Sequence, residues 1–245
     1  MHTYATPADL VAAFADWLVE HIRETLLRQP RFTLALSGGN TPKALYERLA
    51  TEPYRDAIDW HRLHIFWGDE RFVPFDDEQN NAGVAFRTLL GKVPVVGAQV
   101  HLMRTTGEPE AEARRYDGLL HTYFDNHAYT FDLVLLGMGA DGHTLSLFPG
   151  TPVVGEDTAW AAAFFLESQA MHRLTLTAPV VNRAAQDVFL VTGADKAEAL
   201  KAVREGVYQP ETYPAQRIQP SPGQLRWFVD EAAARLLDQA RNTDL

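Results

Sequence analysis

Asp141-Gly142-His143 sets a carboxylate and an imidazole on either side of one glycine, and three residues separate it from the apolar run FDLVLLG at residues 131–137. A neutral imidazole takes a proton from water, and a nearby carboxylate orients the ring and stabilises it once charged. An alternative role for Asp141 is to meet backbone donors and only shape the loop. Three other segments also carry polar groups after apolar runs. SGGNTP, residues 37–42, supplies Gly38 and Gly39 for close backbone approach, donors on Ser37, Asn40 and Thr41, and then a helix start. Free N–H groups and the positive end of the helix dipole favour a phosphate there. The same residues also make an ordinary turn with Thr41 as helix cap. Asp69-Glu70-Arg71 places two carboxylates and a guanidinium at a strand end. Arg71 can fork onto a phosphate or carboxylate, or support negative charge developing on oxygen; a salt-bridged surface turn is the plainer alternative. Lys196, shortly after Thr192-Gly193, offers a further cation or is simply solvated.

Two familiar cofactor motifs fail on spacing or context. Residues 39–43 lack the four positions a phosphate-binding P-loop needs between its first glycine and Gly-Lys. Residues 137–142, GMGADG, satisfy G-x-G-x-x-G, the letters of a dinucleotide turn. That turn requires a helix opening at its third glycine and an acidic residue at the end of the next strand, about 20 residues on. Here Pro149-Gly150 leaves room for barely two helical turns, and Glu156 and Asp157 follow no strand. No HExxH or clustered His/carboxylate spacing suggests a metal.

The elements that position these groups read as an alternation. Apolar periodicity predicts helices over residues 7–28, 42–49, 80–90, 109–127, 194–205 and 223–240. Short apolar runs predict strands over 32–36, 63–67, 131–136, 173–177 and 188–192. Alternating strands and helices with apolar strands argue an α/β fold: a mainly parallel sheet covered on both faces. Ligands bind beyond the carboxyl ends of such strands, so the four polar segments are expected on one edge of one sheet. The Pro-rich stretch 206–222 reads as a surface loop. A length of 245 residues suits one domain, 1–245. A net charge of −10 argues against a general nucleic-acid binder. The absence of cysteine excludes disulfides, thiolate nucleophiles and Cys-zinc sites. No apolar run reaches membrane-spanning length, and no secretory signal opens the chain, so a cytoplasmic location is the default expectation.

The segments LALSGGNTPKALYERLA, IFWGDERFVPFDDEQNN, FDLVLLGMGADGHTLSLFPG, RLTLTAPVVNRAAQDVFLVTGADKAEAL and PAQRIQPSPGQLRWFVDEAAARLL resemble the glucosamine-6-phosphate isomerase/6-phosphogluconolactonase family, in order and over nearly the whole chain. The resemblance implies a single-domain, Rossmann-like three-layer fold and hydrolysis of the δ-lactone of 6-phosphogluconate, in the oxidative pentose phosphate pathway. It implies no metal and no redox cofactor. The expected partner is the small sugar-phosphate lactone, with no nucleic acid or membrane, acted on by a monomer. By the same resemblance His143, Asp141 and Arg71 are the catalytic candidates. Ser37, Gly38, Gly39, Asn40, Thr41, Asp69, Gly137, Gly139 and Lys196 are the substrate-binding candidates, Asp69 orienting Arg71 or a sugar hydroxyl. The family's amino-sugar deaminases typically carry a glutamate after the histidine, as in GHIAFNEP; that position here is Phe148, which cannot titrate. They also carry MDEY where this chain has GDER, so Arg71 replaces a tyrosine. Both differences favour the lactone-hydrolysing branch over deamination; the missing helix room after Gly142 argues against a nicotinamide-dependent oxidoreductase, and the presence of His143, Asp141 and Arg71 together argues against a silent sugar-phosphate sensor. Leu145 departs from the alanine of the lactonase pattern GHTASLFP.

Overall fold

A computed structural model describes residues 1–238 of the chain. The strands are β1 (His2–Tyr4), β2 (Phe32–Leu36), β3 (Leu63–Trp67), β4 (Asp69–Arg71), β5 (Leu133–Leu136), β6 (Ala161–Leu166), β7 (Met171–Leu176), β8 (Gln186–Val191) and β9 (Gln224–Asp230). The helices are α1 (Pro7–Leu26), α2 (Asn40–Leu49), α3 (Tyr54–Ala57), α4 (Asn81–Ala85), α5 (Pro109–Phe124), α6 (Ala178–Val181), α7 (Ala197–Glu205) and α8 (Glu231–Ala234). Six strands lie side by side in the order β1-β9-β8-β5-β2-β3, every neighbouring pair parallel. β4, β7 and β6 form a second, antiparallel sheet.

The main sheet forms because its central strands are apolar on both faces. Every residue of β2 and β5 is buried, as a parallel sheet covered on both sides requires. α1 starts where Thr6 accepts a bond from the Asp9 N–H and Pro7 occupies the first turn. Its Leu10, Phe14, Leu18 and Ile22 are buried on one stripe. Each such side chain contributes about 1.5–3 kcal/mol, so packing outweighs the cap. One continuous apolar core runs through both sheets, which makes the molecule a single α/β domain. Among the described residues no helix is long and apolar enough to cross a membrane.

Strand order locates the crevice. From β2 the chain steps outward to β3, then returns to the other side of β2 as β5 and continues to β8 and β9. The order reverses between β2 and β5, so the loops leaving their carboxyl ends part there.

Several expectations need correction. Residues 223–240 are not one helix: β9 spans Gln224–Asp230 and only Glu231–Ala234 is helical, while residues 239–240 lie outside the described part. Trp227, Phe228 and Val229 are consecutively buried, which a one-sided helix cannot do but a strand between β1 and β8 must. Asp69–Arg71 is not a loop on the main sheet's edge. Gly68 alone turns the chain from β3 into β4, its N–H on Leu36 O and its carbonyl accepting from Leu176 N. Of residues 173–177, 173–176 fall on β7 in this second sheet, and Thr177 precedes α6. Its partner β6, alanine-rich, and the short polar β1 were unforeseen. α4 passes into a π-helical turn, Phe86–Leu90.

Candidate active site

A cavity of about 440 Å³ opens at the β2/β5 switch point. Ser37, Gly38, Gly39, Asn40 and Thr41 line it after β2; Gly137, Gly139 and His143 line it after β5. Asp69 and Arg71 come from β4, and Lys196 from the turn before α7. Of the sequence-expected residues only Asp141 is not on the lining; it reaches the cavity through His143.

The first wall is a helix start shaped by two glycines. Gly39, at φ 103°, is the residue before α2, and no side chain caps the helix there. Thr41 is therefore not the cap; its Oγ1 lies 2.8 Å from Thr192 Oγ1 and ties two strand-end loops together. A Cβ on Gly38 would lie 2.1 Å from Asn81 Oδ1, so only glycine fits. Tyr46 Oη donates to Ser37 O at 2.6 Å and accepts from Ser37 N at 3.1 Å, fixing the loop from behind. The uncapped N–H groups of α2 suit an anion. Lys196 Nζ, 2.9 Å from Asp195 Oδ2, adds a cation at the same cavity.

The second wall presents the histidine. No helix follows Gly142; residues 139–150 fold as turns, which removes the dinucleotide motif's context. Gly139 N–H donates to His143 O, Gly142 N–H to Gly139 O and Thr144 Oγ1 to Gly137 O. Asp141 Oδ1 accepts from the His143 N–H at 3.1 Å and lies 2.5 Å from its Nδ1. One oxygen thus both shapes the loop and orients the ring. Partial burial pushes the Asp141 carboxyl up, but the bond to His143, that residue's charge and the backbone donors outweigh it and hold it below the usual carboxylate range. An ionised acceptor at Nδ1 keeps the proton there and leaves the Nε2 lone pair free. Gly142 adopts φ 78° and packs on Tyr213, while Ala215 N–H donates to Gly142 O. The 206–222 segment is therefore a buttress for this loop. The His143 ring stacks on Phe148 at 4.1 Å between centroids. Leu145 sits on the lining at φ 54°, a costly backbone for a branched side chain.

The third wall holds charge that the strand assignment moved to the second sheet. Glu70 is fully buried and accepts from the N–H groups of Arg71, Asn81 and Ala82, pinning α4 to β4. Burial pushes its carboxyl up, to about 7. Asp69 does not pair with Arg71. Its oxygens accept from Ser146 Oγ at 2.8 Å and Asn81 Nδ2 at 3.2 Å, and one lies 4.0 Å from Arg173 Nη1. Arg71 Nη1 instead donates to Gln79 O at 2.9 Å. Arg173 is a lining cation that sequence reasoning missed, as it did the lining residues Gln169 and Asp195. It is only 3% exposed, hydrogen-bonds Gln169 Oε1 and lies 5.5 Å over the Phe148 ring. Its signal was a charge at the head of RLTLT, where leucine and threonine alternate, taken there for a strand boundary. Among the described residues no group of three His, Cys, Asp or Glu is placed to hold a metal ion.

Comparison with known proteins shows the family and the fold. The family model described as glucosamine-6-phosphate isomerases/6-phosphogluconolactonase matches residues 5–227. A 6-phosphogluconolactonase from Synechocystis sp. is 42% identical over 220 residues, covering 88% of this chain and 89% of the relative. One from Haemophilus influenzae is 37% identical, covering 83% and 87%. The solved 6-phosphogluconolactonase of Trypanosoma brucei superposes with a TM-score of 0.82 at 28% identity, covering 96% of this chain and 97% of that one.

Proposed function

The chain belongs to the glucosamine-6-phosphate isomerase/6-phosphogluconolactonase family, and from that premise we propose that it hydrolyses 6-phospho-D-glucono-1,5-lactone to 6-phosphogluconate. The observation that carries the reading is the Asp141–His143 pair, presented to a cavity that also holds the uncapped start of α2. The loop 37–41 and Lys196 take the phosphate, through N–H groups, hydroxyls and one ammonium. His143 Nε2 removes a proton from water as the water oxygen bonds to C1, and the carbonyl electron pair moves onto oxygen. Arg71 and the N–H groups of residues 137 and 138 stabilise that oxyanion, each donor by about 3 kcal/mol, while the Gly139 N–H stays on His143 O. Collapse breaks the bond between C1 and the ring oxygen, which takes the proton back from His143. The acid formed releases its own proton to solvent. Asp141 holds the imidazole in the required tautomer throughout. Every side chain this chemistry uses comes from one chain, so the proposed unit is the monomer.

Phe148 separates the reading from deamination. Ring opening and amine expulsion need proton transfer at the ring oxygen and at carbon, and Phe148 contributes only a stacking surface. The test is to assay lactone hydrolysis and glucosamine-6-phosphate deamination side by side on the purified protein. Hydrolysis above the spontaneous rate is expected, falling by about 10²–10⁴-fold in His143→Asn, with no deamination. Deamination without hydrolysis, or a His143→Asn variant near the wild-type rate, overturns the assignment.

A further inference from the structure

Arg71 and Arg173 are directly opposed partners on the antiparallel strands β4 and β7. Side chains at such positions share a face with Cβ atoms about 4.5–5.5 Å apart, and like charges there repel. Both guanidiniums line the cavity, and each has a buried Nε with no hydrogen-bond partner among the described residues. Burial and Arg71 hold Arg173 below the usual arginine range, although the nearby carboxylates Asp69 and Glu70 favour its charge. Glu70 spends its oxygens on three backbone N–H groups. Asp69 is engaged by Ser146 and Asn81 and stands 4.0 Å from Arg173. Two cations forced together beside a cavity, with unused donors, form an arrangement that an anion would complete.

We propose that Arg71 and Arg173 together form a second anion seat, distinct from the α2 start, which holds the C1 oxygens: the oxyanion during hydrolysis and then the carboxylate of the product. This deepens the lactonase reading and rests on it for the identity of the anion. The C1 end is indicated by Phe148, whose ring touches both the His143 imidazole and the Arg173 guanidinium. Arg173 thus shares a neighbour with the base, and the carbon attacked by His143's water lies on this side. The phosphate already has its own helix start and Lys196. The ligand class the pair selects is a phosphorylated aldonate, carrying one anion at each end.

The test is calorimetric binding of 6-phosphogluconate and of glucitol 6-phosphate, which bears CH₂OH in place of the carboxylate. Wild-type protein is expected to bind 6-phosphogluconate at least about tenfold more tightly, the weight of one charge-assisted contact. Arg173→Met, which keeps an apolar stem against Phe148, should remove most of that preference while leaving glucitol 6-phosphate within about twofold, as expected when a binding group loses only its charge partner. Arg173→Lys should restore part of it. Equal wild-type affinity for the two ligands overturns the seat without any variant. Equal loss for both ligands, or equal loss in the Met and Lys variants, assigns the effect to packing and also overturns it. The binding contrast needs no turnover. Failure to hydrolyse lactone would sink the activity and leave the seat standing, while hydrolysis without the contrast would sink the seat alone.

Discussion

Gly139→Ala tests whether the histidine loop works by position. A Cβ at residue 139 would lie 2.1 Å from His143 Nδ1 and 2.4 Å from Asp141 Oδ1, whereas real contacts of this kind do not fall below 3.0 Å. The ring must retreat by about 0.9 Å, the difference between those two distances. Gly139 does not have positive φ, so alanine brings no backbone strain. Such a change commonly adds about 0.4–1 kcal/mol by restricting the unfolded chain. His143 and Asp141 are part-exposed side chains, so they yield cheaply. Catalysis is less forgiving: a misplacement of about 1 Å costs about 10²-fold in rate. The expectation is a kcat about 10²-fold down with an unchanged or slightly raised Tm. Proton release from the lactone in weak buffer, corrected for spontaneous hydrolysis, measures the first; a calorimetric melt measures the second. A kcat within twofold of wild type would refute the positional argument, and a sharply lowered Tm would show that the glycine serves folding instead.

Asp141→Asn removes the charge that supports the imidazolium and is expected to lower kcat by on the order of 10²–10⁴-fold with little change in KM; steady-state kinetics with a loss confined to KM would contradict the orienting role. Lys196→Ala should raise KM about tenfold at nearly constant kcat, since a phosphate contact made equally in ground and transition states affects binding alone; a pure kcat loss argues against it. Asp187 is 0% exposed on β8, neither carboxylate oxygen has a partner among the described residues, and burial raises its pKa well above the usual value. An acid whose folded pKa is raised stabilises the fold only below its unfolded pKa, and that contribution is lost as pH climbs toward the folded value. Asp187→Val should therefore gain about 1–3 kcal/mol at neutral pH, with the gain shrinking toward about pH 4; denaturant midpoints at both pH values check it, and a destabilised variant refutes it.

The strands whose residues are buried as unbroken apolar runs were legible, and with them the three main-sheet loops that meet at the cavity. β9 was not, because Leu225, Phe228, Val229 and Ala232 recur at a spacing that fits a helix as well as a strand leading into a turn. Only pairing decides: Trp227 stacks on Phe189 of β8 at 4.0 Å, and Phe228 meets Tyr4 of β1. Asp141 and His143 could be read because their chemistry is local, two residues apart on one loop. Glu70 and Arg173 could not, because their meaning is set at long range. Glu70 is buried by the start of α4, about a dozen positions on, and Arg173 acquires its role only by lying across from Arg71.

The two sheets divide the work of the cavity. The parallel sheet supplies loop ends, where backbone N–H groups and one imidazole can be aimed without burying a charge. Its central strands β2 and β5, buried along their whole length, carry no guanidinium. The small antiparallel sheet supplies them, because β4 and β7 run past the cavity mouth and alternate their side chains toward and away from it. Gly68 makes this possible: it hydrogen-bonds to β2 on one side and β7 on the other, and a Cβ there would meet Leu145 Cδ2 at 2.7 Å. Leu145 is also the residue held at positive φ between the histidine and Ser146, which bonds Asp69. Opposed arginines, unused buried donors and a strained leucine therefore share one cavity wall. Packing alone would select against each of them, and their meeting on one cavity wall is what a site shaped by its ligand rather than by stability produces.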